Sequence, residues 1–403
     1  MTTNRWVNGA FPAVGIHISI GAVYAWSVFT GPVMNALGAT LQEVQWAFSI
    51  AIFFLGMSAA FLGEFVEKIG PRNSGFICGL CYGAGLIGSG FAVKAGSLPL
   101  LYLFYGAIGG IGLGVGYITP VKTLVNWFYD RRGLATGLSI MGFGFASAIA
   151  GPLINQLIAS VGLVNTFFVL GGVYFTLIIV SSLCIKPAPA SHMENIAPEA
   201  YHSRKKQYSV KEAVRTWQFY ALWFLLFINI TCGISIISVA SPLLQETTGL
   251  TALAAAGVVG IMGIFNGGGR LVWATASDYL GRDVVYTSFF VLEIVAMLLL
   301  ATITHTLTVE ILLFIVMTCY GGGFSCIPAY LSDVYGTKQL SAIHGRILTA
   351  WAMAGIAGPG VTAWAKGVTN SYQSTMFIFA GLFTAALFVS IFLMFRLRKE
   401  NRI

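Results

Sequence analysis

The chain has 403 residues, of which 57% are hydrophobic and only 9% are charged, and its mean hydropathy is +0.82. A soluble protein of this length carries roughly 25% charged residues to hydrate its surface, so this composition excludes a soluble protein and indicates one that faces lipid. The formal net charge of +8 does not indicate a nucleic-acid partner. The basic residues lie in short loops and tails between apolar runs, which is the pattern of a membrane topology signal.

Twelve apolar runs are each long enough to cross a bilayer as a helix of about 20 residues. The first follows the N-terminal MTTNRW without a cleavage motif, so we expect a retained span rather than a cleaved signal. A polar segment, 185–215, has the composition of a cytoplasmic linker between two six-span domains, 1–184 and 216–403. The predicted spans are 8–30, 44–66, 73–93, 98–127, 134–157, 162–184, 216–241, 250–277, 284–303, 308–332, 341–365 and 372–396.

Lysine and arginine are distributed unequally between the two sets of loops. Loops rich in these residues stay in the cytoplasm, and the opposite loops hold little beyond Lys94 and Lys366. We therefore predict a multi-pass protein of the inner (plasma) membrane with both termini in the cytoplasm. The basic residues on the predicted cytoplasmic side are Arg5, Lys68, Arg72, Arg131, Arg132, Arg204, Lys205, Lys206, Arg282, Lys338, Arg396, Arg398 and Lys399.

Four sequence markers recur in the second half of the chain at a nearly constant offset. Two of the matches are segments: the loops 67–72 and 278–282, and AIAGP at 148–152 with GIAGP at 355–359. The other two are prolines: Pro32 with Pro242, and Pro120 with Pro328 within spans 4 and 10. We predict that Pro32 and Pro242 end spans 1 and 7. The repetition indicates a duplicated six-helix unit. We predict an all-α membrane protein with two parallel pseudo-repeats around a central cavity, which is the architecture of rocking-type secondary transporters.

The acidic loops after spans 2 and 8 resemble the signature loop of the major facilitator superfamily. Within that superfamily, the segments 126–152, 265–282 and 320–359 resemble the oxalate:formate antiporter family and its monocarboxylate-transporting relatives. The resemblance covers nearly all of the chain except the linker and the tails. It implies the twelve-helix major facilitator fold and transport by alternating access, in which the two halves rock against each other.

The signature loops contain the predicted gating residues. An acid and a base near adjacent helix ends can pair and hold one access state closed. The first loop departs from the family pattern because it has Glu67 where an aspartate is usual. The predicted gating residues are Glu67, Arg72, Asp278 and Arg282.

Glycine stripes in spans 4 and 10 are followed by Pro120 and Pro328, and this pattern predicts hinge bends. Close helix packing is the alternative explanation of the glycines.

Arg270 stands in span 8, about two turns before the charged end of that span. A charge at mid-membrane costs at least about 2.5–3.5 kcal/mol, so it persists where it faces a water-filled cavity or a partner. Asn266, four residues earlier, is the nearest polar residue on the same face and is uncharged. We predict that Arg270 binds an anion, because a guanidinium matches a carboxylate bidentately. The alternative is a structural ion pair with Glu293 of span 9.

The resemblance also bears on the charge of the substrate. In the resembling oxalate:formate antiporter, two cations hold a dicarboxylate: an arginine in span 8, matched by Arg270, and a lysine in span 11, where Trp351 is aligned. One cation beside an aromatic wall fits a monocarboxylate such as lactate, pyruvate, acetate or formate. Lys122 in span 4 keeps the dicarboxylate alternative open, since its side chain either faces the cavity as a second cation or extends toward the membrane surface.

Aromatic residues of the cavity-forming spans are expected to complete the site, as in the aromatic box of the resembling antiporter. A tyrosine hydroxyl can donate to a carboxylate oxygen, while the rings exclude water and contact a short carbon chain. Helix packing is the alternative, because 14% of the chain is aromatic. The candidates are Tyr24, Trp26, Tyr117, Tyr320, Phe324 and Trp351.

Two residues are candidates for proton coupling. His17 lies seven residues before Tyr24, on the same face of span 1, and histidine titrates near neutral pH. Glu293 lies in the middle of span 9. In the resembling animal monocarboxylate carriers, an aspartate four residues before the matching arginine is implicated in proton coupling, and Asn266 occupies that position here.

No metal, cofactor or catalytic site is expected. The CxxC motif of Cys78 and Cys81 lies in an apolar run without a second ligand pair, and zinc needs four ligands. The chain has no GxSxG, HExxH or P-loop motif, so we do not expect an enzyme.

The sequence therefore predicts a secondary transporter of small monocarboxylates, such as lactate or pyruvate, that is coupled to protons and acts as a monomer in the lipid bilayer. The first alternative is a carboxylate exchanger like the oxalate:formate antiporter. The second is a transporter-like anion sensor, although a linker of about 30 residues leaves no room for a signalling domain.

Overall fold

The computed structural model describes residues 4–128, 132–189, 207–336 and 339–400. Within these ranges the secondary structure is helical, and twelve helices are long and apolar enough to cross a membrane, so the predicted number of spans is confirmed. These helices are α1 (Trp6–Leu37), α2 (Leu41–Phe61), α3 (Lys68–Lys94), α4 (Leu98–Val121), α5 (Ile140–Val161), α6 (Leu163–Cys184), α7 (Trp217–Thr248), α8 (Ala252–Leu280), α9 (Arg282–Leu300), α10 (Thr306–Tyr335), α11 (Ala342–Thr369) and α12 (Gln373–Lys399).

Much of the predicted linker, 185–215, lies outside the described residues. Its last residues include a single helical turn, Val210–Ala213, just before α7. The division of the chain into domains at this segment stays a prediction. Five of the basic residues used to orient the chain also lie outside the described ranges: Arg131, Arg204, Lys205, Lys206 and Lys338.

Glycines, rather than prolines, end the first and seventh helices. The prediction that Pro32 and Pro242 end these spans is wrong, because both prolines lie inside helices that continue for at least one more turn. A proline removes one backbone donor, and membrane helices tolerate this where neighbouring groups satisfy the freed carbonyl. The helices end at Gly38 and Gly249, whose φ angles of 60° and 73° lie in the left-handed region that glycine adopts at little cost.

The two signature loops turn at equivalent glycines. Gly70 has φ 80° and Gly281 has φ 94°, so the repeat detected in the sequence is also a repeat of backbone conformation. In the second loop, Arg282 pairs with Asp278, and its Nε lies 3.7 Å from a carboxylate oxygen of Asp333 at the end of α10. This loop therefore ties the ends of α8, α9 and α10 together.

The first signature loop has different contacts. The guanidinium of Arg72 lies 5.7 Å from the ring centroid of Phe76, one turn later in α3. The side chain of Glu67 lies outside the described part of the chain. A gating role for the four loop residues stays a prediction.

Small residues bring the two halves of the bundle into direct contact. The main contacts between halves are those of α2 with α11 and of α5 with α8, and α1 also packs along α7. A Cβ added at Gly144 of α5 would lie 2.8 Å from the Cα of Gly267 of α8. A Cβ added at Gly56 of α2 would lie 2.5 Å from the backbone nitrogen of Ala352 of α11. The backbones thus meet without intervening side chains near the centre of the bundle.

The glycines of α4 and α10 also lie at close helix contacts. A Cβ added at Gly106 or Gly110 would come within 2.7 Å of atoms of α2, and one added at Gly321 would lie 2.2 Å from a backbone oxygen of α8. Pro120 and Pro328 lie inside helices that continue past them. The glycines therefore have a packing role, and the hinge role of the two prolines stays a prediction.

Replacing Gly144 with alanine should destabilise the fold by about 1–3 kcal/mol, because the added methyl group has no space between α5 and α8. The measurement is thermal unfolding of the purified protein in detergent. Gly172→Ala in α6 is the matched control, since a Cβ there would meet no atom within 4 Å. Equal unfolding temperatures for the two variants would contradict the close α5–α8 contact.

Candidate functional site

Arg270 lies at the centre of the bundle, on the face of α8 that meets the first half. The residue is only 2% exposed. Its Nε donates a hydrogen bond of 3.3 Å to Oδ1 of Asn266, and one terminal nitrogen donates at 3.4 Å to the backbone oxygen of Ile140 in α5. The guanidinium carbon lies 5.2 Å from the ring centroid of Phe324. No carboxylate pairs with Arg270 in the described part of the chain, so neutral groups surround this buried cation.

Two tyrosines of the first half lie near the guanidinium. Tyr24 of α1 and Tyr117 of α4 are both close enough to Arg270 to interact with its charge. The hydroxyl of Tyr24 also shares a hydrogen bond of 2.7 Å with the hydroxyl of Tyr320 in α10. Polar groups from both halves therefore converge on one point, where hydroxyl and guanidinium donors can bind the same anion.

Buried aromatic rings from five helices lie around this polar centre, and we call them the aromatic cage. The ring of Trp351 lies 4.8 Å from that of Phe324 and 5.1 Å from that of Tyr117, both edge-on. Edge-to-face packing is the favoured arrangement of aromatic rings, so these contacts define a rigid apolar wall. The aromatic cage consists of Tyr24, Tyr117, Phe143, Tyr320, Phe324 and Trp351.

Phe143 of α5 is a cage residue that the sequence analysis missed. Its ring lies 4.8 Å from Tyr24, 5.6 Å from Tyr117 and 6.1 Å from Trp351. The chain contains 30 phenylalanines, and nothing in the local sequence separates this one from those that pack against lipid or within the core. Its neighbour Gly144, which permits the close contact with α8, is the one signal that marks the position.

A local change in helix winding positions Tyr24. Residues Ala22–Ala25 form a turn of 3₁₀ helix inside α1, and such tighter turns within long helices often mark functional positions. Gly21, immediately before this turn, lets α1 approach α5 closely: a Cβ there would lie 2.4 Å from the backbone oxygen of Phe143. The glycine and the tight turn together place the Tyr24 ring against the α5 side of the cage.

Two of the predicted site residues are not seen in the cage. Trp26 packs inside the first half, with its ring 4.3 Å from that of Tyr105 and with Phe29 and Phe48 as its other ring neighbours. These neighbours are not cage residues, so the helix-packing alternative describes its surroundings. The side chain of Lys122 lies outside the described part of the structure, and its orientation stays a prediction.

The two candidate proton-binding residues lie in different surroundings. His17 is fully buried beside the cage, with its Nε2 3.1 Å from the backbone oxygen of Tyr117. Glu293 is fully buried within the second half and accepts a hydrogen bond of 3.3 Å from Asn229. The alternative in which Glu293 neutralises Arg270 is not seen, since the described residues include no ion pair between them.

A small cavity borders the polar centre on the side of Asn266 and Tyr24. It is about the size of one water molecule, and its other walls are mostly apolar. The remaining lining residues are Ser147, Ile237, Ala240, Val259, Met262, Gly263 and Met317. The small cavity and the burial of Arg270 together describe a site with little free volume.

The site offers donors for an anion. Across the ranges that the structure describes, no group of three or more histidine, cysteine, aspartate or glutamate side chains is arranged to hold a metal ion. Cys78 and Cys81 are free thiols in α3. Among the described residues, the chemistry available at the centre of the bundle is that of one cation, several hydroxyl groups and an aromatic wall.

Residues 13–359 match the family model of the Major Facilitator Superfamily. The chain belongs to this superfamily, and it is therefore a multi-pass membrane protein of a transporter class, which confirms the predicted family and fold.

Two curated relatives show which members of the superfamily the chain is similar to. The chain is 29% identical over 384 residues to the oxalate:formate antiporter of Oxalobacter formigenes, an alignment that covers 94% of this chain and 88% of the relative. It is 30% identical over 185 residues to monocarboxylate transporter 1 of Bos taurus, covering 44% of this chain and 36% of that protein. Among solved structures, a D-xylose-proton symporter matches with a TM-score of 0.70 at 16% identity, covering 94% of this chain and 97% of that one, which supports the fold.

Replacing Tyr320 with phenylalanine should remove the hydroxyl contact between α10 and α1 while keeping the ring in the cage. We expect a loss of about 1 kcal/mol in stability, which is the typical net contribution of one hydrogen bond. Thermal unfolding in detergent measures this change. Tyr279→Phe is the control, because Tyr279 is 85% exposed at the end of α8. An effect no larger than that of the control would contradict a structural role for the Tyr24–Tyr320 contact.

Proposed function

We propose that this protein transports small monocarboxylate anions, such as lactate or pyruvate, by alternating access, and that Arg270 binds the carboxylate. The observation that supports this proposal best is a buried guanidinium that lies against the aromatic cage, near Tyr24 and Tyr117, and has no carboxylate partner in the described part of the chain. A permanently charged group in this position is stabilised when a substrate anion supplies the opposite charge. The substrate anion then neutralises the charge of Arg270.

The geometry supports a carboxylate with a short carbon chain. Arg270 can bind a carboxylate through two parallel hydrogen bonds, and Tyr24 or Tyr117 can donate a third. The carbon chain would contact the aromatic cage and the small cavity beside Asn266. Because the closed site leaves little free volume, large substrates would prevent the two halves from meeting.

Trp351 supports a substrate with one negative charge. This residue is fully buried in the cage, and the sequence analysis aligns it with the second cation of the resembling antiporter. A second carboxylate placed against an indole ring would lose its hydration without gaining a counter-charge, which is strongly unfavourable in a low-dielectric site.

Exchange of dicarboxylates is the second candidate function. Its support is the similarity to the oxalate:formate antiporter along most of both chains. This function would require a second cation near Arg270, and Lys122 is the candidate from the first half.

Orientation in the membrane and the energy source are part of the proposed function. We infer from the distribution of basic residues that both termini face the cytoplasm and that the protein resides in the inner (plasma) membrane, where it acts as a monomer. Coupling to protons would let a monocarboxylate enter together with one proton, so that no net charge crosses the membrane. The membrane potential would then not oppose anion uptake.

Replacing Arg270 with glutamine should reduce the kcat/KM of carboxylate uptake about 10- to 100-fold, because charge-assisted hydrogen bonds contribute about 1.5–3 kcal/mol. The measurement is uptake of labelled lactate, pyruvate, formate and oxalate into proteoliposomes. Arg396→Gln, in the last turn of α12, is the matched control and should keep wild-type uptake. Normal saturable uptake by the Arg270 variant would refute the proposed anion site.

Replacing Trp351 with lysine should restore a second cation and shift the preference toward dicarboxylates. We expect oxalate to compete with labelled lactate about tenfold more strongly than in the wild type, which corresponds to about 1.4 kcal/mol of added binding. Trp364→Lys, at a site on α11 that is 57% exposed, controls for the added charge. Strong competition by oxalate in the wild-type protein would instead favour the exchanger.

A further inference from the structure

Glu293 is a buried acid that the anion site does not use. It lies in the middle of α9, with no exposed surface, and its side chain points toward α7. Nδ2 of Asn229 in α7 lies 3.3 Å and 3.5 Å from the two carboxyl oxygens. In the part of the chain that the structure describes, no lysine, arginine or histidine pairs with Glu293.

The other titratable groups near Glu293 in the described part of the chain supply no positive charge. They are the thiols of Cys232 in α7 and Cys319 in α10 and the hydroxyl of Tyr286 in α9 itself. An ionised carboxylate without a counter-charge is costly to bury, whereas a neutral carboxylic acid with hydrogen-bond partners is tolerated. The closed conformation therefore favours a proton on Glu293.

Asn229 can form a hydrogen bond with Glu293 in both protonation states of the carboxyl group. Its Nδ2 donates to the carboxyl group, while its Oδ1 is buried and has no hydrogen-bond partner in the structure. After the amide turns over, Oδ1 can accept the O–H of the protonated acid, and Nδ2 can donate to the ionised form. The pair thus resembles a two-state proton site more than a fixed structural hydrogen bond.

α10 connects this pair to the anion site. The same Nδ2 of Asn229 lies 3.4 Å from the backbone oxygen of Cys319, and the next residue, Tyr320, is the cage residue that bonds to Tyr24 of the first half. A Cβ at Gly323 would lie 2.2 Å from Oδ1 of Asn229, so the helix lies directly on the amide. A change of charge at Glu293 therefore acts on the helix that contacts both the pair and the cage.

We propose that Glu293 is the proton-binding residue that couples proton movement to carboxylate transport, with Asn229 as its positioning residue. This inference rests on the proposed function and adds its proton site. Glu293 takes up a proton as the substrate binds from one side and releases the same proton on the other side, so one proton and one carboxylate cross together. When α10 moves during the transport cycle, the surroundings of Glu293 and Asn229 change.

The test compares two modes of transport in proteoliposomes with labelled lactate as the probe. Glu293→Gln mimics the neutral acid and cannot release a proton. We expect its exchange of internal for external lactate to stay within about twofold of wild type, while accumulation driven by a pH gradient of one unit, about tenfold at equilibrium for the wild type, is lost. Glu310→Gln, the same substitution near the start of α10, should keep both activities.

A second variant covers the case in which Glu293→Gln does not fold. Asn229→Leu removes the N–H donor that stabilises the ionised carboxyl group. Uptake should then reach its half-maximal rate at a pH higher by about one unit, because the carboxyl group keeps its proton to a higher pH. A purely structural role would lower the rate at every pH without moving this midpoint.

Two results would overturn the inference. The first is proton-driven accumulation that Glu293→Gln retains, and loss of this accumulation in His17→Gln would then assign the proton to His17. The second is a wild-type protein that exchanges lactate in an Arg270-dependent manner but never accumulates it in response to a pH gradient. In that case the proton site would be wrong and the proposed anion site would stand, whereas uptake that survives in Arg270→Gln would remove the anion site itself.

Discussion

Arg270 carries a full positive charge into the centre of the bundle. The described structure provides only neutral oxygens, an aromatic face and two nearby tyrosines around it. Isolating such a charge from water is unfavourable unless an anion joins it. In the proposed function, a substrate anion supplies the missing counter-charge at the point where polar groups of both halves converge.

The close packing of the two halves encloses this charge. The contacts of α5 with α8 and of α2 with α11 are so tight that methyl groups would not fit at several positions. The aromatic cage fills the remaining space, and the low dielectric that results strengthens every interaction between the guanidinium and an anion. An arrangement that both encloses the charge and opens by separation of two packed surfaces is suited to release a substrate on either side.

α10 lies between two buried ionisable residues that do not pair with each other. One surface of the helix meets Asn266 and Arg270 of α8 through the cage, and another meets Asn229, the partner of Glu293. A substrate carboxylate and a proton would each neutralise one of these residues. The helix is thereby placed to respond to both ligands, which is the physical requirement for coupling their movements.

The sequence by itself determined the number of spans, the internal repeat, the family and the position of Arg270 as a charge that needs an explanation. These features depend on hydrophobicity and on local motifs, which are readable along the chain. Only the tertiary structure decided which rings form the cage: it added Phe143, placed Trp26 in another cluster, and separated Glu293 from Arg270. It also showed that Pro32 and Pro242 lie inside their helices. Such outcomes depend on how residues far apart in sequence pack, and an amphipathic pattern cannot report this when nearly every face of every helix is apolar.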